Sequence, residues 1–346
     1  MNKLKEMKVR ITLPHQKLNF YWVNMSKVIG IYLMILGHRN LVDNQMTQLI
    51  FSFHMPLFFM MSGMLYHPKT FRETFDKILR SLITPFVIMT LFWILFYIVC
   101  LLKNHLPLST IWVYAIGSII SPGHNFLMFH PLCVYLWFIM ALAIIRLLAT
   151  LGRSKIGVGV ISAILLLIGI VLIKHHIQLP FALNSVFLAI PFFAIGYILS
   201  QFFTRKYSNL TEVTCLLICV VVVFIIGLFN GRVDINNDEY GNNIILYLIC
   251  GIAGSLAVFS LSKLVCVKMP YESRLINVLS KGTLLMVGFS ASLSSMYISI
   301  IDNTISFISV DSNATGMITG LLVLISFYPL TILADRYFPA IIGFRR

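Results

Sequence analysis

The sequence predicts an all-α, polytopic integral membrane protein with about ten transmembrane helices and both termini cytoplasmic. Three observations predict it: composition, the length of the apolar runs, and the placement of the basic residues. Of 346 residues 59% are hydrophobic and only 11% charged, and the mean hydropathy is +0.91. A soluble domain is about 25% charged, and a disordered chain combines low hydrophobicity with high net charge. Both classes are therefore excluded. Only helices and closed barrels satisfy their backbone polar groups in lipid, and long unbroken apolar runs, not short alternating ones, dominate here.

About 20 apolar residues are needed to cross a bilayer as a helix. That criterion places spans at 20–38, 49–66, 82–102, 131–150, 156–173, 180–203, 213–230, 243–262, 280–301 and 316–334. The charges test the count, because one wrong span would move every later loop to the other side. With the N-terminus inside, only Arg39, Lys103, Lys174 and Arg232 of the 26 Lys and Arg fall outside, and Lys27 lies within the first span. Positive-inside retention thus explains the net charge of +14. With no basic run interleaved with aromatics in a soluble segment, no nucleic-acid partner is expected. The expected partner is the lipid bilayer of the cell (inner or plasma) membrane.

Residues 1–19 carry Lys3, Lys5, Lys8, Arg10 and Lys17 without an apolar core. They read as a cytoplasmic basic arm rather than a signal peptide, ahead of one membrane domain over 20–340. The first span then holds two ionisable groups, Lys27 and His38. Eleven residues make three turns plus roughly 20°, which puts both on one helix face about 16 Å apart. Either the pair is functional, since ionisable groups in lipid are costly, or Lys27 snorkels and His38 merely ends the helix.

The second span adds His54 beside Pro56, then Ser62-Gly63, a small pair that lets backbones approach. Two neighbouring helices each presenting a histidine suggest a polar cavity. In the next inner loop Lys77 and Arg80 share a helix face. Beside Lys27 they would form an electropositive pocket for a phosphorylated ligand; positive-inside retention also places basic residues there. Tyr135 and Trp137 open the fourth span, either to stack on a ligand ring or as part of an interfacial aromatic belt. The outward segments carry Asp43, Asp234, Asp238, Glu239, Asp302 and Asp311, and the longest of them is 103–130. The six cysteines lie mostly in apolar spans with no CxxC pair, and His175 and His176 have no third ligand, so no metal site is expected.

These residues also form an ordered set of motifs. Lys27-x10-His38, the segment Phe53-His54-Met-Pro-Leu-Phe-Phe-Met-Met-Ser62-Gly63, Lys77-x-x-Arg80 with Pro85, Leu136-Trp137-Phe138, and Pro191-Phe-Phe-Ala-Ile-Gly196 follow one another over residues 20–200. The set resembles the acyltransferase 3 family of integral membrane acyltransferases, and within it the fucose 4-O-acetylase-like proteins. Lys27 and Lys77 stand where that family more often has Arg, which turns bidentate phosphate contacts into point charges. Within the ninth span, the segment Gly282 to Ser290 stands where many relatives end in a histidine.

The resemblance implies transfer of an acetyl or other acyl group from acetyl-CoA, as donor co-substrate, to a hydroxyl of a sugar or cell-surface glycan or glycolipid. It implies O-acetylation and polysaccharide modification. Lys27, Lys77 and Arg80 are then the candidates for the donor phosphates. His38 is the candidate general base or nucleophile, with His54 and Ser62 orienting the ring or polarising the thioester. Tyr135 and Trp137 are candidates for stacking on the acceptor. The competing reading is a transporter or flippase of a lipid-linked sugar or small solute. Against it stand the lack of symmetry between the halves and the placement of all twelve Asp and Glu at loops or helix ends.

Overall fold

The computed structural model describes residues 20–38, 45–269, 271–304 and 313–343. The basic arm 1–19 and the outward residues Arg39, Asp43 and Asp311 lie outside the described residues. Each of the ten expected spans holds a helix. Among the described residues, seven helical runs are long and apolar enough to cross a membrane: Phe71–Lys103, Val134–Leu151, Lys155–Lys174, Asn209–Asn230, Ile244–Val267, Thr283–Ile301 and Asn313–Tyr337. The chain is an all-α, multi-pass membrane protein.

The first, second and sixth spans are shorter and form the centre. They hold α1 (Tyr21–Gly37), α2 (Gln45–Phe51) followed by α3 (His54–Met64), and, in the sixth, a helix over Leu183–Ile198. The second span is thus not one helix. It breaks at Ser52-Phe53, and Pro56 falls in the first turn of α3, where a missing N–H costs nothing. Lipid tails are as apolar as the side chains, so close packing rather than hydrophobic burial holds such helices together. Between α3 and Leu183–Ile198 the approach is closest. A Cβ on Gly63 would stand 1.9 Å from the Phe193 carbonyl oxygen, and one on Gly196 would stand 2.2 Å from that of Met60. The Ser-Gly and Phe-Phe-x-x-Gly motifs thus meet each other in the fold, around fully buried Leu57, Phe59, Met60, Phe192 and Phe193.

The third span is entered through α4 (Phe71–Ile78), started by a reciprocal cap between Thr70 and Glu73. It widens into a π-helical stretch, Leu79–Ile83, before α5 (Thr84–Lys103). Pro85 supplies no N–H to the preceding turn, which favours the wider winding. The long outward segment contains a helix the composition did not single out, α6 (Ile111–Ile120), too short to cross at about 15 Å. The fourth and fifth spans are α7 (Trp137–Leu151) and α8 (Lys155–Lys174). The sixth is α9 (Leu183–Ile198) with a short extension α10 (Ser200–Thr204).

Next, α11 (Asn209–Asn230) and α12 (Ile244–Val267) pack as a pair, joined by a small antiparallel hairpin of β1 (Val233–Asp234) and β2 (Glu239–Tyr240). Their inner ends are tied by a largely buried ion pair, Lys263 to Glu212 at 2.9 Å. An amphipathic turn, α13 (Arg274–Lys281), precedes α14 (Thr283–Thr304) and α15 (Asn313–Tyr337).

Candidate active site

Three cavities reach His38; the smallest, about 120 Å³, does so from the side of Ser290, Ser294 and Ser295 on α14, and the other two meet there. The larger, about 510 Å³, runs along the face of α1 from Lys27 to His38. Its walls are Met34, Met55, Phe58, Met61 and Leu142. At its basic end it is lined by Lys27, Lys77, Arg146 and Lys281, together with Ser62. Arg146, from α7, donates to the Ser62 hydroxyl oxygen through Nε at 3.1 Å and Nη2 at 3.0 Å. Its charge is felt at both Lys27 and Lys77. Lys281 is paired with Asp335 at 2.8 Å, and no carboxylate is among the lining residues. Uncompensated positive charge in a partly dry space attracts an anion far more strongly than on an open surface.

At the other end His38 is caged by aromatic edges. Tyr135 lies at 4.7 Å between ring centroids, Phe51 at 5.2 Å and His54 at 5.8 Å, all T-shaped. His54 is buried, and its Nδ1–H donates to the Ile50 carbonyl across the break between α2 and α3 at 2.9 Å. That contact directs the Nε2 lone pair inward, and Nε2 has no partner among the described residues.

Beyond this ring lies the second cavity, about 150 Å³. It is lined by His38, His54, Tyr135 and Trp137 and, from the hairpin, by Asp234, Asn236 and Asn237. The hairpin is pinned by three hydrogen bonds, one to the outward loop and two to α9: Asn236 Nδ2 donates to the Gly123 carbonyl (2.7 Å), Ser185 Oγ to that of Ile235 (3.1 Å), and Asn184 Nδ2 to Asp238 Oδ2 (2.9 Å). Asp234 accepts from the Asn236 backbone and the Asn237 amide, leaving it as a preset acceptor cluster. Burial raises the carboxyls of Asp234 and Asp238, the latter to about 6, with the Asn184 bond opposing the shift and neighbouring Asp234 adding to it. Burial likewise lowers His124, which lies against the same hairpin.

A basic anion pocket, a caged imidazole about 16 Å away on the same helix and a polar chamber behind it are the parts of a group-transfer site. The acyltransferase 3 family model, described as an acyltransferase domain, matches residues 20–334. The chain belongs to the acyltransferase 3 family. It is a membrane acyltransferase. No curated protein and no solved structure matches it.

In this acyltransferase Lys27, Lys77, Ser62, His38, Tyr135 and Trp137 all line the larger cavity. His54 reaches only the smaller one. Arg80 lines neither. The α-helical register that would pair it with Lys77 ends at Leu79, and the π-helical winding turns Ser81 and Leu82 inward while Arg80 stays exposed. Ser62 belongs to the basic end. It stands eight residues, about 12 Å, beyond His54 along α3, and Arg146 holds it there.

Two parts of the site were not anticipated. Arg146 was counted among the retained inner charges, although it falls inside the 131–150 span, where an ionisable residue is itself a signal. The hairpin residues Asp234, Asn236 and Asn237 carried only an acidic-loop signal, because the cavity they share with His38 brings together parts of the chain about two hundred residues apart.

Proposed function

We propose that this acyltransferase moves an acetyl group from acetyl-CoA to a hydroxyl of a sugar or cell-surface glycan, with His38 as general base. The observation that carries the reading is that His38 lines both cavities. The donor enters the larger one from the side the charge distribution assigns to the cytoplasm, and its phosphates engage Lys27, Lys77 and Arg146. The apolar wall accepts the pantetheine arm, and the distance from Lys27 to His38, about 16 Å, suits the reach of that arm. The acceptor enters the smaller cavity, where Asp234, Asn236 and Asn237 receive and orient hydroxyl groups.

Reaction then occurs across the aromatic ring of the cage. The acceptor oxygen attacks the thioester carbonyl carbon while His38 takes its proton. The C–S bond breaks, and the departing thiolate of coenzyme A takes the proton back from the imidazolium. The protein is unchanged, and the products are an acetyl ester and free coenzyme A. His54 serves as a positioning residue, its unshared Nε2 facing the chamber.

Membranes containing the protein, supplied with acetyl-CoA labelled in the acetyl group, test this reading. Label should appear in a glycan or glycolipid fraction and fall at least 100-fold for His38→Ala. Incorporation that persists in His38→Ala, or label found in no fraction from the parent protein, would overturn it.

A further inference from the structure

A separate cavity of about 720 Å³ lies beside the basic end of the larger one, lined by Tyr66, Lys69, Thr70, Arg153, Ser154 and Tyr197 among others. Its placement continues that of the first cavity. Three segments line both spaces: Ser62 and Leu65 then Tyr66, Arg146 then Ala149 and Thr150, and Lys77 then Glu73. On α7 and α4 the four residues from Arg146 to Thr150 and from Lys77 to Glu73 advance about 6 Å. The direction is the same on all three, away from His38, because α3 and α7 run toward this end while α4 runs from it. The cavity is therefore the next step outward along the path that begins at the imidazole.

We propose that this cavity binds the phosphate monoester on the ribose of the acyl-CoA donor, its 3′-phosphate, with Lys69 and Arg153 as the charged contacts. The proposal rests on the acyl-CoA reading above. In coenzyme A the pyrophosphate and the 3′-phosphate are separated by only one ribose, a spacing of the order of one helical turn. A pyrophosphate on Lys27, Lys77 and Arg146 thus places the monoester here.

The local chemistry suits a dianion. Thr70 and Ser154 are the caps of α4 and α8, so two helix N-termini open on the space. Glu73 is the carboxylate in the lining, and it is engaged by the Thr70 backbone N–H at 3.1 Å and hydroxyl at 2.9 Å. Lys69 and Arg153 therefore leave net positive charge. The Tyr66 hydroxyl, out of contact with solvent, has no partner among the described residues. Lys69 is close enough to Lys77 for their charges to interact, which ties the two anion sites together.

The test compares binding of acetyl-CoA with that of 3′-dephospho-acetyl-CoA by calorimetry on the detergent-purified protein. The parent protein should prefer the phosphorylated form by on the order of tenfold or more. Lys69→Gln with Arg153→Asn should abolish the preference while binding the dephospho form unchanged, which also shows that the variant is folded. Asn is chosen because Arg153 has a φ of 52°, a region asparagine tolerates. Lys77→Gln should weaken both forms by the same factor. Equal binding of both forms by the parent, or a preference that survives in the double variant, overturns this site and leaves the donor reading intact. If neither form binds, the donor reading fails and this site falls with it.

Discussion

The two cavities that share His38, Met55, Tyr135 and Trp137 differ in size, in lining chemistry and in the elements that close them. The inner one is large and walled by Met, Phe and Leu, with cations gathered at one end. The outer one has less than a third of that volume and presents carboxamides and a carboxylate. Elements differ as well: transmembrane helices build the inner cavity, while the outer is closed by a hairpin between α11 and α12. The contrast teaches that the two cavities are built by different parts of the chain, so in the proposed function damage to donor recognition should spare acceptor recognition, and the reverse.

The largest effect should come from the shared residue. His38→Ala is expected to lower turnover by about 10²- to 10⁴-fold while calorimetric affinity for acetyl-CoA stays within a few-fold, since the donor's charges are bound elsewhere. A matching loss of donor affinity would break the separation.

Arg146→Ala should act on the inner side alone. Removing a charged contact from a partly dry pocket is worth on the order of tenfold to a hundredfold in donor affinity, with the acceptor KM unchanged. Arg146→Lys should recover part of it, because the charge returns without the two-pronged hold on Ser62. Smaller still, Asn236→Ala should raise the acceptor KM by a few-fold up to about tenfold and leave donor binding untouched. An effect of Asn236→Ala on donor affinity would show that the hairpin shapes both spaces.

The smallest effect concerns the hairpin's own stability. In the fold the Asp238 carboxyl is pushed up to about 6 by burial, against 3.8 for a free side chain. An acid whose folded pKa is raised favours the folded state most when protonated, so stability is lost as pH rises from about 4 to 6 and stays lower above that. Asp238→Asn should therefore raise Tm at pH 7.5, by about 2 °C, and change it little at pH 4.5. A gain of equal size at both pH values would show that the carboxyl's charge is not what burdens the hairpin.

The spans were legible because lipid as a solvent imposes itself directly on composition, and the Lys27–His38 face was legible because helical spacing is fixed. Other features depend on tertiary detail that hydropathy does not carry. Arg80 is lost to the site through a change of winding at Leu79, whose cause, Pro85, was visible but whose consequence depends on how many residues unwind. Arg146 resembles a retained inner charge until Ser62 of another helix is found beneath it. The break that begins α3 at His54 was signalled only by Pro56, and the hairpin's position over His38 by nothing local at all. The glycines of two motifs were visible, yet that Gly63 and Gly196 face each other's backbone partners became evident only in the packed helices.

The wall between the two cavities has a further consequence. Met55, Tyr135, Trp137 and His38 line both, so the partition is a single layer of side chains set in a membrane protein. Such a layer must act as insulation as well as scaffold. In the proposed reaction only a small neutral acyl group has to pass it, with the donor phosphates on one side and the hydroxyl-bearing acceptor on the other. In that reaction the caged imidazole carries the one proton that moves. If the proposed donor and acceptor sites hold, an enzyme built this way would serve two aqueous compartments across one layer of side chains.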